Sequence, residues 1–265
     1  MELTKEEILQ LKGIAIIFIV GHNLLRILNF QECNECNFFI SFLDYPLKWS
    51  IFPFQIFLYY GWMFLPVFIF ISGIGLQKKY ENGAIIWPKY IFWNLGKIII
   101  LFLPCFIICV LLGLTGLVNC PLTKRGILLQ AIGITNFLYP TYYSWPGVYW
   151  YIGLTLQLYI LFPFLRKLSN KQLIATIVLL CIFMQICCII NIQQMVLLRK
   201  NAIGWLHLFL LGILCAKTNV KTNYGNAIIV PLLLLTIITS CNKYTWIVPE
   251  ICSLLAFILL FKKSN

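Results

Sequence analysis

Runs of about 20 residues with almost no charge recur along this chain, and that is the length an α-helix needs to cross the hydrocarbon core of a membrane. They fall at 8–28, within 50–76, and at 97–118, 148–166, 172–191, 203–216, 226–242 and 245–261. The run 50–76 exceeds one crossing, so its first part (SIFPFQIFLYY) is expected at the membrane interface. With no water in the bilayer core, every backbone amide there must be bonded within its own segment. The reading is therefore all-α: a polytopic transmembrane helix bundle of about eight spans, with 1–265 as a single domain. Composition agrees. The chain is 61% hydrophobic and 11% charged, whereas soluble domains are nearer half apolar and about a quarter charged. Disorder, collagen-like repeats and a soluble coiled coil are excluded on the same grounds.

The net charge of +12 does not point to nucleic acid, because no soluble stretch is large enough to hold a reading module. It works instead as a topology signal. With the N-terminus inside, 13 of the 20 Lys and Arg residues fall on the inner side, so both termini are expected in the cytoplasm. The acidic residues divide evenly between the two sides and decide nothing. The opening MELTKEEILQLK carries three glutamates and no small-residue cleavage site, so it does not read as a removable leader. Segment 119–147 holds Lys124, Arg125, Pro140 and Pro146 and reads as an amphipathic or re-entrant piece. Tyr59, Tyr60, Trp62, Trp145, Tyr149, Trp150 and Tyr151 crowd positions suited to interfacial aromatic belts.

Ionisable groups at membrane depth are costly, so each needs a reason. His22 lies late in the first span, and a neutral imidazole is both affordable there and able to act as a general base. Packing against a neighbouring helix accounts for it equally well. Asn23 and Arg26 make the end of that span a polar cluster. Lys12 precedes His22 by about 15 Å of helix, and its simplest role is snorkelling to headgroups. Lys78, Lys79, Lys89 and Lys97 gather four cations on the inner side of the second and third spans. They suit a polyphosphate such as coenzyme A, though anionic lipid headgroups satisfy them too and are the simpler occupant. Ser72, Gly73 and Gly75 read as a small-residue packing patch; a nucleophilic Ser72 has no evident acid partner. Gln157 and Tyr159 read as interhelical hydrogen-bonders, and His207 as packing or interfacial. Most of the 11 cysteines lie in or beside spans, where Cys behaves as a small hydrophobe. Cys33 and Cys36 share one outer loop; a local disulfide fits them better than zinc, which lacks further ligands. No metal site is indicated.

Four of these stretches occur in the order of a known family. LKGIAIIFIVGHNLLR resembles the opening helix of the membrane-bound acyltransferase family 3, with its basic residue, glycine and later histidine. FLPVFIFISGIGLQKKYE is similar to that family's V-x-x-F-F-x-x-S-G helix, PGVYWYIGLTLQLYILFPFL to its Trp-initiated helix, and LHLFLLGILCAK to its F-x-x-G-I-x-x-A helix. The resemblance runs over 9–217. The family pattern has Arg where this chain has Lys12, with one more residue before its histidine, and the shorter spacing turns His22 by about 100°. Its Arg-rich motif appears here only as Lys89 and Lys97, and its glutamate in the fourth span falls on Thr155. The HN late in the first span and the GLQKKYE ending resemble a divergent branch of the family, and the chain is shorter than most members.

The resemblance implies a multi-pass O-acyltransferase of the cell membrane (the bacterial inner membrane, if the source is bacterial). It implies transfer of an acetyl group from acetyl-CoA, or an acyl group from another acyl-CoA, to envelope polysaccharide or a lipid-linked glycan. The acyl-CoA is a donor substrate rather than a tightly bound cofactor. On this reading His22 is catalytic with Lys12 and Arg26 beside it, and Lys78, Lys79, Lys89 and Lys97 hold the donor. Asn23, Ser72, Trp150, Tyr151 and Gln157 line the substrate path. Expected partners are membrane lipid, acyl-CoA and the glycan acceptor, without nucleic acid. The sequence leaves acceptor, acyl length and oligomeric state open. The alternative from another class is a transporter or flippase for a lipid-linked glycan, and a third is a degenerate member that only binds partners.

Overall fold

The computed structural model describes residues 3–28, 60–117, 123–138, 149–218 and 226–261. Among these residues there is no strand, and ten α-helices follow one another: α1 (Lys5–Leu28), α2 (Leu65–Lys79), α3 (Trp87–Leu114), α4 (Lys124–Ala131), α5 (Trp150–Leu165), α6 (Asn170–Ile190), α7 (Ile192–Arg199), α8 (Leu206–Thr218), α9 (Ile229–Ser240) and α10 (Ile247–Phe261). Tyr60–Lys79, Trp87–Leu114 and Asn170–Ile190 are long and apolar enough to cross a membrane. Trp150–Leu165, Ala202–Thr218, Ile229–Ser240 and Ile247–Leu260 are apolar but shorter. Cys33, Cys36, Lys48, Tyr59 and Trp145 lie outside the described residues, as does most of the expected interfacial stretch before Tyr60.

The chain forms two compact units. The first comprises Met1–Gln77, Asn170–Val196 and His207–Asn265. Its α1 starts three residues before the expected position because Thr4 and Glu7 form a capping box. Glu7 N–H donates to Thr4 Oγ1 at 3.2 Å, and Thr4 N–H donates to Glu7 Oε2 at 2.7 Å. Two otherwise orphaned first-turn donors are thereby satisfied. Leu3, Glu7, Leu11 and Ala15, spaced by four, form the buried face, while Ile16, Ile17 and Val20 face outward. A 3₁₀ turn, Tyr60–Phe64, leads straight into α2, most of which is buried. The helices α2 and α8 cross at Gly73 and Gly212. A Cβ on Gly73 would collide with the Phe209 carbonyl oxygen, and one on Gly212 with that of Phe70. The small-residue patch expected in the second span is thus a packing contact at Gly73; a Cβ on Gly75 would meet no other element within 4 Å among the described residues.

The second unit comprises Lys78–Ser169 and Leu197–Leu206. Its α3 begins at Trp87, ten residues ahead of the expected 97. Pro88 suits a first helical turn, where its missing N–H is no loss, and nothing in 89–96 interrupts the helix. At 28 residues it is about 42 Å long, more than the ~30 Å hydrocarbon core. Lys89 and Lys97 therefore ride on the helix itself rather than preceding it. Only Tyr90, Asn94, Phe102 and Phe106 of α3 are buried, a stripe at spacings of four and eight. Most other large apolar residues of α3 face outward, with Leu101 77% exposed. In α6 of the first unit only Leu173, Met184 and Cys188 are buried. Helices this apolar with outward apolar faces are built for lipid.

Candidate functional site

A pocket of about 480 Å³ opens in the second unit between the end of α2 and the first half of α3. Lys79, Lys89 and Lys97 line it with Tyr80, Tyr90 and Trp93, and Ala84 and Ile86 complete the wall. Helical geometry explains the set: Lys89, Trp93 and Lys97 follow one another at intervals of four on one face of α3. The fourth predicted cation, Lys78, is exposed and does not line the pocket.

Behind the lysines lies a polar hinge. Lys79 Nζ donates to Asn94 Oδ1 at 2.9 Å and stands 4.8 Å from the centre of the Tyr80 ring. Asn94 Nδ2 donates to the Tyr80 hydroxyl at 2.7 Å and to the Tyr90 carbonyl at 2.9 Å. The Tyr90 hydroxyl in turn donates to the Tyr159 carbonyl at 2.8 Å, tying α3 to α5. Arg166 Nη1 donates to the Gly83 carbonyl at 3.0 Å and pins the turn between α2 and α3. Burial alone raises the pKa of the Tyr80 phenol. Hydrogen bonds with Asn94 and Lys79, and the charges of Lys79 and Lys97, outweigh it and hold the phenol below its ordinary value. A basic, aromatic-walled cavity of this kind takes an anion that also carries a flat or apolar part.

In the first unit, His22 is half-buried on α1, with Nε2 shielded from solvent. Gly61 of the 3₁₀ turn lies directly against it: a Cβ there would strike the Phe18 carbonyl oxygen and stand 2.9 Å from His22 Cβ. Asn23 Nδ2 donates back to the Ile19 carbonyl at 2.8 Å. Lys12 is exposed. Arg26 belongs to α1, but its side chain lies outside the described set. Ser72 Oγ donates to the Phe68 carbonyl at 2.8 Å, the ordinary back-bond of a helical serine.

Among the residues placed on a substrate path, Trp150 stacks on Trp205 at 6.1 Å and 25° and meets Tyr151 edge-on. The Trp150 carbonyl accepts from Asn136 Nδ2 at 2.6 Å. Gln157 Oε1 accepts from Ala202 N–H at 2.8 Å, so it bonds across elements as its position in the sequence indicates, while its Nε2 is buried with no hydrogen-bond partner among the described residues. Thr155, at the family's glutamate position, donates to the Tyr151 carbonyl at 2.8 Å.

Sequence reasoning misses Asn94, Tyr80, Tyr90 and Trp93, although Trp93 at four residues from Lys89 and from Lys97, and Asn94 at three from Lys97, are legible once the helix is started at Trp87. It also misses Glu250. That residue is fully buried beside His207, which is 1% exposed, with His207 Nε2 3.7 Å from Glu250 Oε2. Trp62 is not an interfacial belt residue: it is buried, stacked on Trp246 at 4.3 Å and 9°. The cysteines of the described residues are free thiols, Cys188 and Cys252 among them buried. No group of three or more His, Cys, Asp or Glu among the described residues is placed to hold a metal ion.

The family model described as an acyltransferase domain, that of acyltransferase family 3, matches residues 6–261. The chain belongs to acyltransferase family 3. The match runs through both compact units, so the acyltransferase family 3 domain includes the lysine pocket, the His22 face and the buried His207–Glu250 pair alike. No curated protein and no solved structure matches the chain.

Proposed function

We propose that this acyltransferase is a multi-pass membrane O-acyltransferase. It has about eight spans with both termini in the cytoplasm, and carries acetyl or another acyl group from acyl-CoA to a hydroxyl of envelope polysaccharide or a lipid-linked glycan. The observation that carries the reading is the pocket of Lys79, Lys89 and Lys97 walled by Tyr80, Tyr90 and Trp93. Coenzyme A joins several phosphates to a flat purine, and a triad of lysines beside aromatic faces complements both parts.

The chemistry asks little more of the chain than a base and a positioned donor. Neutral His22 takes the proton of the acceptor hydroxyl, and the oxygen attacks the thioester carbonyl. The tetrahedral intermediate collapses with the coenzyme A thiolate leaving, and that thiolate recovers the proton from the imidazolium. Lys12 and Arg26 hold charge on donor or acceptor. Asn23 and Ser72, in the same unit as His22, line the acceptor path.

The test is transfer of label from radiolabelled acetyl-CoA to envelope glycan by the purified protein in detergent, beside His22→Ala. Wild-type transfer that His22→Ala abolishes at unchanged expression is the expected result. Full transfer in His22→Ala removes that residue from the mechanism, and glycan movement without acetyl-CoA turnover replaces the enzyme with a transporter.

A further inference from the structure

His207 and Glu250 are the most deeply buried ionisable pair among the described residues, and the transfer chemistry above does not use them. Burying a carboxylate and an imidazole costs more than an apolar pair of similar volume unless their hydrogen bonds accomplish something. Here they do. Glu250 Oε1 accepts the Trp246 indole N–H at 2.8 Å, while Oε2 faces His207 Nε2. A buried indole N–H needs an acceptor, and a carboxylate is the strongest available. The bond fixes the Trp246 ring in one orientation, flat against Trp62 at 4.3 Å.

Trp62 belongs to the 3₁₀ turn Tyr60–Phe64. At the C-terminal end of that turn, Phe64 is stacked 4.1 Å from Phe257 of α10 and 4.0 Å from Phe18 of α1. The turn is therefore clamped at two points, by Phe257 on α10 and by Trp246 immediately before it. Gly61, the residue immediately before Trp62 in this turn, lies against Phe18 and His22 of α1. Every residue in this chain of contacts lies within the first unit.

We propose that His207 and Glu250 are positioning residues for His22, acting through Trp246, Trp62 and the Tyr60–Phe64 turn. This rests on the reading of His22 as the base. Glu250 sets the indole, the indole sets the turn, and the turn sets where the imidazole stands. His207 Nε2 stands against the second carboxylate oxygen, 3.7 Å away.

The experiment compares wild type, Glu250→Leu and Glu250→Gln as full-length protein in detergent. Two quantities are read: the kinetics of acetyl transfer, and the rate at which diethyl pyrocarbonate modifies His22, followed by mass spectrometry. Glu250→Leu is expected to lower kcat about tenfold or more while the KM for acetyl-CoA stays within about twofold, since loss of alignment falls on the chemical step. Its His22 modification rate rises about threefold or more as the turn loosens. Glu250→Gln keeps an oxygen for the indole and stays within about threefold of wild type in both readouts.

A monodisperse Glu250→Leu protein with wild-type kcat and His22 reactivity overturns the proposal. So does a Glu250→Gln protein as slow as Glu250→Leu with His22 reactivity unchanged in both, because Glu250 then acts in the chemistry itself. If Glu250→Leu does not fold, Trp246→Phe keeps a ring against Trp62, removes the N–H, and carries the same expectation and the same overturning result. Absence of any transfer by wild type refutes the enzymatic reading alone; the His22 modification rates then decide the positioning by themselves.

Discussion

Three lysines, one asparagine and one tyrosine determine how the pocket presents its charge. Lys79, Lys89 and Lys97 line it and Lys78 does not, so their alanine variants should separate. Alanine at each lining lysine is expected to raise the KM for acyl-CoA about tenfold with little change in kcat, the loss of one charge-assisted contact to phosphate. Lys78→Ala should stay within about twofold, because exposed charges beyond direct contact are screened. Initial-rate kinetics at fixed salt decide between these outcomes. Tyr80 adds a pH signature. Its phenol sits below its ordinary value, so on raising pH it becomes phenolate before an ordinary tyrosine does. The new negative charge then opposes an anionic donor. The KM for acyl-CoA is therefore expected to climb with pH through that ionisation, and Tyr80→Phe should remove the step from the profile. A profile identical in Tyr80→Phe and wild type would show that the phenol does not face the donor.

Individual elements owe their ends and crossings to single residues. The capping box of Thr4 and Glu7 begins α1; Thr4→Ala should cost about 1 kcal/mol of local stability. Hydrogen–deuterium exchange should speed up at the amides of Lys5–Ile8 without reaching the middle of α1. At the α2–α8 crossing, Gly73 and Gly212 each face a backbone carbonyl that cannot give way like a side chain. Gly73→Ala or Gly212→Ala should therefore destabilise the first unit by about 1–3 kcal/mol, read as a lower Tm in detergent. A Tm equal to wild type would mean the helices do not approach this closely.

For the molecule as a whole, the outward apolar faces of α3 and α6 carry the claim that this is a membrane protein. Leu101 is 77% exposed on α3. In water an exposed Leu→Asp change is near neutral, whereas at the centre of a lipid-facing helix it should cost about 3 kcal/mol of insertion free energy. Leu101→Asp is therefore expected to cut membrane insertion of the chain, measured as the membrane-integrated fraction after alkaline extraction. Unimpaired insertion would mean that this face is not in lipid.

The sequence by itself determined the class and the family. Twenty-residue apolar runs admit only helices in a bilayer, and motifs in order from Lys12 to Gly212 carried the resemblance that the family match over 6–261 bears out. It also marked Lys78, Lys79, Lys89 and Lys97 as one group, because charge that rims apolar runs is visible without coordinates; that Lys78 does not line the pocket was not legible. Tertiary structure decided what those residues stand beside. Asn94 and Tyr90 look like ordinary members of an apolar helix until α3 starts at Trp87 and turns them inward, behind the lysines. Glu250 reads as a lone acid 43 positions from His207, and only packing shows the two to be partners with Trp246. Hydrophobic runs and helix caps are local in sequence, so a chain displays them directly. Contacts across a bundle depend on which faces meet, and no local pattern specifies that.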